Sequence, residues 1–199
     1  MTKVAHVIGN GDSAGLYKPS KGLKITCNLP PFEVPDTYTT CIVDFKMMKA
    51  IHEGSVIVPG EWVLGARPKK WMEIHPAFYM KHAKQIKEFY TELPPYAENY
   101  TNFNCGHLAV HYAANKLKCD EVHMYGFDSL FDFNMRSTSD LFLFSDRDLN
   151  NNMRLMNNWR PIWAQLFKEL LNTKFVLHHK HANLKFPVPE NVEIVTPSS

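Results

Sequence analysis

The chain has 199 residues, 45% of them hydrophobic, 21% charged and 13% aromatic, with a formal net charge of +2. That length suits one folded unit around a single sizeable core. So small a charge excess gives no electrostatic case for nucleic acid or an anionic membrane as a partner, and no run of about 18 apolar residues is present to span a bilayer.

In chain order, Val4–Ile8 reads as a first buried strand and stops at Gly9-Asn10-Gly11-Asp12-Ser13. Leu23–Cys27 is a second strand, ending at Asn28, and Thr39–Val43 a third, ending at Asp44. Helical spacing follows over Phe45–His52. Val56–Val58 reads as a fourth strand before Pro59-Gly60, and Pro76–Phe89 as one helix. A helix over about His107–Lys118 carries the small core face Gly106, Ala109, Val110, Ala113 and Leu117. Glu121–Tyr125 is a strand ending in Gly126-Phe127-Asp128. Residues 129–152 are too polar for core and too long for an ordinary connection, so they read as a lid-like insertion. A long helix is expected over about Met153–Asn172, with a kink or break at Pro161. Phe175–Leu177 is a strand running into His178-His179-Lys180-His181, and Val192–Val195 a short last one.

Strands alternating with helices predict an α/β fold: a single Rossmann-like domain over 1–199 with a mostly parallel sheet. Ligands of such folds lie beyond the carboxyl ends of the strands. Gly9-Asn10-Gly11, Asn28, Asp44, Gly126-Phe127-Asp128 and His178-His179 all follow strand ends, so the polar groups are expected along one edge. Glycines that expose backbone N–H groups ahead of a helix favour phosphate. Gly-Asn-Gly alone reads equally well as a tight turn with Asp12 or Ser13 as helix cap. Asn28 suits a nucleobase edge or ribose, or an Asx-turn.

The N-terminus lacks a charged-then-apolar export pattern, and Cys27, Cys41, Cys105 and Cys119 show no C-x-x-C spacing. Reduced thiols, a cytoplasmic location and an unmodified Asn99-Tyr100-Thr101 sequon are expected. His107 and His111, four apart on a helix, read as a polar flank rather than a metal site. His178, His179 and His181 offer a base, a phosphate contact or a plain loop. The basic stretch Arg67-Pro68-Lys69-Lys70-Trp71, with Lys81, Lys84 and Lys87, reads as a solvated face or the acceptor-side rim of an anionic ligand groove.

Three blocks resemble the bacterial CMP-sialic-acid sialyltransferases. Val7-Ile8-Gly9-Asn10-Gly11-Asp12-Ser13 is similar to a strand followed by Gly-Asn-Gly-Pro-Ser. Thr26-Cys27-Asn28 is similar to an Arg-Cys-Asn strand end. Asn104-Cys105-Gly106, its small-residue helix and the strand ending Gly126-Phe127-Asp128 are similar to Thr-Ser-Gly, a helix and a strand ending Gly-Ile-Asp. The resemblance implies an inverting glycosyltransferase that uses a CMP-activated donor and requires no cofactor or metal. It places Gly9, Asn10, Gly11, Ser13, Asn28, Asn104, Cys105, Gly106 and Asp128 around the nucleotide. Asp44 stands where the family has an Asn. The family's two lid tyrosines fall at Leu130 and roughly Arg136, leaving Arg136 or Arg147 for the donor phosphate. Its general-base histidine has no counterpart in residues 144–152, so Asp146, Asp148 or His179 would have to replace it. A nucleotide or nucleotide-sugar and a glycan or other small acceptor are the expected partners, and a homo-oligomer stays open. The alternatives are a nucleotide-binding protein without catalysis, and a Mg²⁺-dependent diphosphokinase of a pterin-like acceptor with Asp44 and Asp128 as ion ligands.

Overall fold

The computed structural model describes residues 2–97, 103–128, 161–180 and 189–197. Eight strands form one sheet: β1 (Val4–Ile8), β2 (Leu23–Cys27), β3 (Thr39–Ile42), β4 (Trp62–Leu64), β5 (Ile86–Phe89), β6 (Glu121–Tyr125), β7 (Lys174–His178) and β8 (Val192–Val195). Their order is β5-β4-β3-β2-β1-β6-β7-β8, and every pairing is parallel. The sheet is therefore wholly parallel, one step beyond the mostly parallel sheet expected. Short, continuous apolar strands suit this arrangement, because a parallel sheet is covered on both faces.

Alternate residues supply the two faces. Ala5, Val7, Ile25, Cys27, Cys41, Val63, Val122, Met124 and Phe175 pack with two helices, α4 (Cys105–His111) and residues 161–169 (α5). On the other face, Ile42, Trp62 and Leu64 pack against α1 (Phe45–Glu53), α2 (Ala66–Glu73) and α3 (Pro76–His82). Beside them on this face, Ile8 and Tyr125 lie under Ala14, Tyr17 and Val34. Next along the same face comes a run of stacked rings, with His6–His123 at 4.9 Å, His123–His178 at 5.1 Å and Tyr125–His178 at 4.3 Å.

Several expectations need correction. Val56–Val58 is not a strand. Its Val58 carbonyl accepts the Trp62 indole N–H at 3.1 Å and the Gln85 amide at 3.1 Å. Pro59-Gly60 turns the chain into β4 rather than out of a strand, with Gly60 at φ 81. Pro76–Phe89 is not one helix. α3 stops at His82, a 3-10 turn spans Ala83–Gln85, and Ile86–Phe89 becomes the edge strand. Gln85 diverts the chain by donating to the carbonyls of Val58 and Gly60. α2 arises in the basic stretch, where no helix was anticipated. α4 begins at Cys105, because Asn104 caps it, and passes into a π-helical turn at Tyr112–Lys116. Residues 129–152, with the lid-like segment, and the first part of the expected long helix lie outside the described residues.

Candidate functional site

A wholly parallel sheet puts all its carboxyl ends on one edge. The registers align them: Ile8 pairs with Thr26 and Tyr125, Cys27 with Cys41, Ile42 with Leu64, and Tyr125 with His178. Gly9–Gly11, Asn28, Asp44, Gly126–Asp128 and His179 thus follow strand ends along that edge. So does Arg67, just beyond β4. The strand order reverses direction at the β1/β6 boundary, the usual place for a ligand crevice.

Here that boundary is knitted shut by the chain itself. Gly9 N–H donates to the Tyr125 carbonyl at 2.6 Å, and Gly11 N–H to the Gly126 carbonyl at 2.9 Å. A Cβ on Gly9 would stand 2.8 Å from the Gly126 oxygen, and one on Gly11 would run into the Asp128 carboxylate. These glycines serve a close approach of two loops. Asp128 is fully buried and accepts from Ser13 twice, from its N–H at 2.7 Å and its hydroxyl at 2.5 Å. The Ser13 oxygen in turn accepts from Lys180 N–H at 2.9 Å. His179, also buried, sets Nδ1 3.7 Å from Asp128 Oδ2. The segment Asp12–Leu16 is a 3-10 turn with Gly11 as its N-cap and no side-chain cap. Asp128, remote in sequence, supplies what Asp12 or Ser13 was expected to supply.

One step along the edge the side chains are arranged differently. Asn10 donates its amide to the Cys27 carbonyl at 2.9 Å, which lays it against the end of β2. Asn28 is the next residue there. It is left-handed, at φ 52, with its N–H on the Cys41 carbonyl at 3.0 Å. It is 8% exposed, and among the described residues its side-chain oxygen has no hydrogen-bond partner. A buried amide oxygen left unpaired is unfavourable by about 1–3 kcal/mol, so this is a position where a ligand donor would be welcome.

The Cys41 carbonyl also accepts from Cys105 Sγ at 2.8 Å, and Cys27 Sγ lies 4.0 Å from the Cys105 carbonyl. These contacts bring the start of α4 beside Asn28. Burial raises the Cys105 thiol well above its ordinary pKa, with Cys27 and Cys41 adding to the effect, so it is a packed thiol and not a nucleophile. Asn104 spends its side-chain oxygen on the His107 N–H at 2.9 Å, and His107 Nδ1 accepts from the Asn104 N–H at 3.1 Å. Gly106 admits Phe127, whose ring would stand 2.7 Å from a Cβ.

Asp44, at the end of β3, pairs with the Arg67 guanidinium at 3.4 Å. Beyond them a shallow depression opens between the ends of β3, β4 and β5, bounded by Val43, Arg67, Tyr90, Glu92, Phe103 and Leu108. A polar chain lies beneath it. The Tyr90 hydroxyl meets His111 Nδ1 at 2.6 Å, and His111 Nε2 meets Glu169 at 3.0 Å. His107 and His111 are 0% and 3% exposed. The polar flank expected of them is therefore wrong. They are core histidines, His107 held by Nδ1 through the helix cap and His111 through Tyr90 and Glu169.

Asp146, Asp148, Arg136 and Arg147 lie outside the described residues. The remaining candidates fall into two groups. Gly9, Gly11, Ser13, Asp128 and His179 are joined to one another around β1, β6 and β7. Asn10, Asn28, Asp44, Asn104, Cys105 and Gly106 gather around the ends of β2 and β3. Arg67 joins the second group, and only its place in a basic stretch gave a signal. The Tyr90–His111–Glu169 chain had none, because its members lie far apart in sequence.

The architecture defines the class: a doubly wound parallel α/β protein with a polar strand-end edge. No protein-family model, curated protein or solved structure matches this chain. Among the described residues no helix is long and apolar enough to cross a membrane, and no three His, Cys, Asp or Glu side chains cluster as metal ligands do.

Proposed function

We propose that this chain binds a nucleotide, or a nucleotide-activated sugar of the CMP type, at the carboxyl edge of its sheet, and transfers the glycosyl group as the sialyltransferase resemblance implies. The observation that carries the reading is Asn28: an amide at a strand end, 8% exposed, with an unpaired oxygen, beside the Asn10 amide. Two adjacent amides offer the donor and acceptor pattern that a base edge or ribose needs. The closed β1/β6 boundary favours a ligand seated toward β2 and β3.

Transfer to an acceptor hydroxyl needs a base. Of the candidates, His179 is buried on Asp128 in the closed half of the edge, three strands from β2, which leaves Asp146 or Asp148 as the base for an acceptor seated toward β2 and β3. The diphosphokinase reading is weaker. It needs Asp44 and Asp128 as ion ligands, yet Asp44 pairs with Arg67 and Asp128 is occupied by Ser13.

Thermal shift of the whole chain with CMP, CDP, CMP-sialic acid, UDP-sugars and ATP, each with Mg²⁺ and with EDTA, tests the reading. A ligand at 100 times its dissociation constant adds about 2.7 kcal/mol, or roughly 5–10 °C at this length. A metal-independent shift with cytidine nucleotides that Asn28→Gly abolishes is the expected result. A shift with ATP and Mg²⁺ alone would favour phosphoryl transfer, and no shift at all would remove the nucleotide. Slow hydrolysis of the CMP-sugar separates an enzyme from a binding protein without catalysis.

A further inference from the structure

We propose that Arg67 anchors an oxyanion, a carboxylate or a phosphate, at the mouth of the depression between the ends of β3, β4 and β5. As the anchor of a substrate group, it rests on the reading of this edge as the ligand site. The side chain is three-quarters buried, at 25% exposed. A guanidinium has five N–H donors in a planar fork. Among the described residues this one meets a single acceptor, Asp44 Oδ1, at 3.4 Å, beyond the usual N–H···O range. Its guanidinium carbon also lies 5.7 Å from the centre of the Phe45 ring. The stem is largely covered while the fork meets one distant acceptor among the described residues, which leaves guanidinium donors available to an anion.

The surroundings agree. Asp44 is 47% exposed and holds Arg67 from one side only. It keeps the cation in place and leaves the rest of the fork for a stronger acceptor. α2 begins at Ala66 with Gly65 as N-cap and no side-chain cap, so backbone N–H groups lie at the same rim. Gly65 is also where the rim packs tightly. A Cβ there would stand 3.1 Å from both Val43 and Leu108. Val43, Phe103 and Leu108 give the depression an apolar side, and Glu92, held by Asn115 at 3.3 Å, a hydroxyl-accepting one. An oxyanion held on Arg67 at the mouth would have apolar surface on one side. Two sources carry that chemistry: the phosphate of a nucleotide whose base lies on Asn28, about two strand spacings or ~10 Å away, or an acidic second substrate.

Isothermal titration of the full chain at low ionic strength tests this, with cytidine, CMP, inorganic phosphate and benzoate as probes, on wild type, Arg67→Gln, Arg67→Lys and Asp44→Asn. The expected result is an oxyanion-dependent affinity, seen as CMP over cytidine or as saturable benzoate or phosphate binding. Arg67→Gln lowers it about tenfold or more, and Arg67→Lys does not restore it, since an ammonium lacks the fork. Cytidine binding is unchanged in both variants. Asp44→Asn raises oxyanion affinity, a gain that a misfolded variant cannot produce. Loss of CMP preference assigns the nucleotide phosphate as the source. Loss of benzoate binding with CMP intact assigns a separate acidic substrate. Oxyanion binding equal to wild type in Arg67→Gln, or no oxyanion binding by the wild type, overturns the proposal. If cytidine fails to bind while benzoate or phosphate binds through Arg67, the nucleotide reading fails and the anion anchor stands.

Discussion

At residue scale, Asn28 and Gly11 make opposite statements about the same edge. Gly11 has no side chain because the Asp128 carboxylate occupies the space one would fill. Gly11→Ala must push that carboxylate off Ser13, and a loss of about 2–4 kcal/mol is expected in denaturant unfolding. Asn28 has a side chain whose oxygen finds no partner among the described residues. Asn28→Gly keeps the φ of 52 at little conformational penalty and removes an unpaired buried polar group. It should leave stability within about 0.5 kcal/mol of wild type while cytidine-nucleotide binding disappears. Asn28→Ala, which resists that φ, should lose about 1 kcal/mol. A stability scan and a binding titration on these three variants would show whether the two positions separate structure from recognition. Both were visible in the sequence as residue types at strand ends. What Gly11 approaches was not, because Asp128 lies more than a hundred residues away.

At the scale of elements, β1, β2, β6 and β8 were legible to the residue, since each is a short β-rich run with apolar residues at alternate positions. β4 and β5 were not. Trp62-Val63-Leu64 follows Pro59-Gly60, and Pro-Gly reads as the end of a strand although here it leads into one. Ile86 and Phe89 are spaced as a helix would space them, and only Gln85 reaching back to Val58 and Gly60 makes them an edge strand. The ring stack across β1, β6 and β7 belongs to this scale too. His178 is held neutral, with its pKa lowered to about 4, by burial first and then by His123 and His6. Burial lowers His6 as well. Glu121, 3.1 Å from His123, and Glu193 act against the shift, while Lys24 acts with it at His6. Between the unfolded value near 6.5 and the folded value near 4, the unfolded chain takes up a proton that the folded chain refuses. Stability should therefore fall as pH drops through that window and level off below it. Tm measured from pH 7 to pH 4 checks the sign, and His178→Phe, which keeps the stack on Tyr125, should flatten the slope.

At the scale of the whole molecule, the α/β class and the polar edge followed from strand ends that share one chemistry, which a parallel sheet then brings together. The partition of that edge into a closed half and a half that holds the Asn28 amide was not legible, because it depends on which loops meet. All four cysteines are buried. A thiol reagent should label none of them quickly in the native protein and all of them in denaturant, which a colorimetric titration would show. The partners of β1 have a further consequence for how the protein is made. Its first strand lies between β2 and β6, and the loop after it hangs on the Tyr125 and Gly126 carbonyls, the Asp128 carboxylate and, through Ser13, Lys180. On a ribosome, residues 4–64 can emerge and begin to assemble while one edge of their central strand stays bare. That edge cannot close until residue 128 has left the exit tunnel, and its last tie waits for residue 180. A strand translated ahead of the rest of the sheet is thus among the last to be secured, and an arrested nascent chain ending before Glu121 should present β1 as an open template to chaperones and to its own copies.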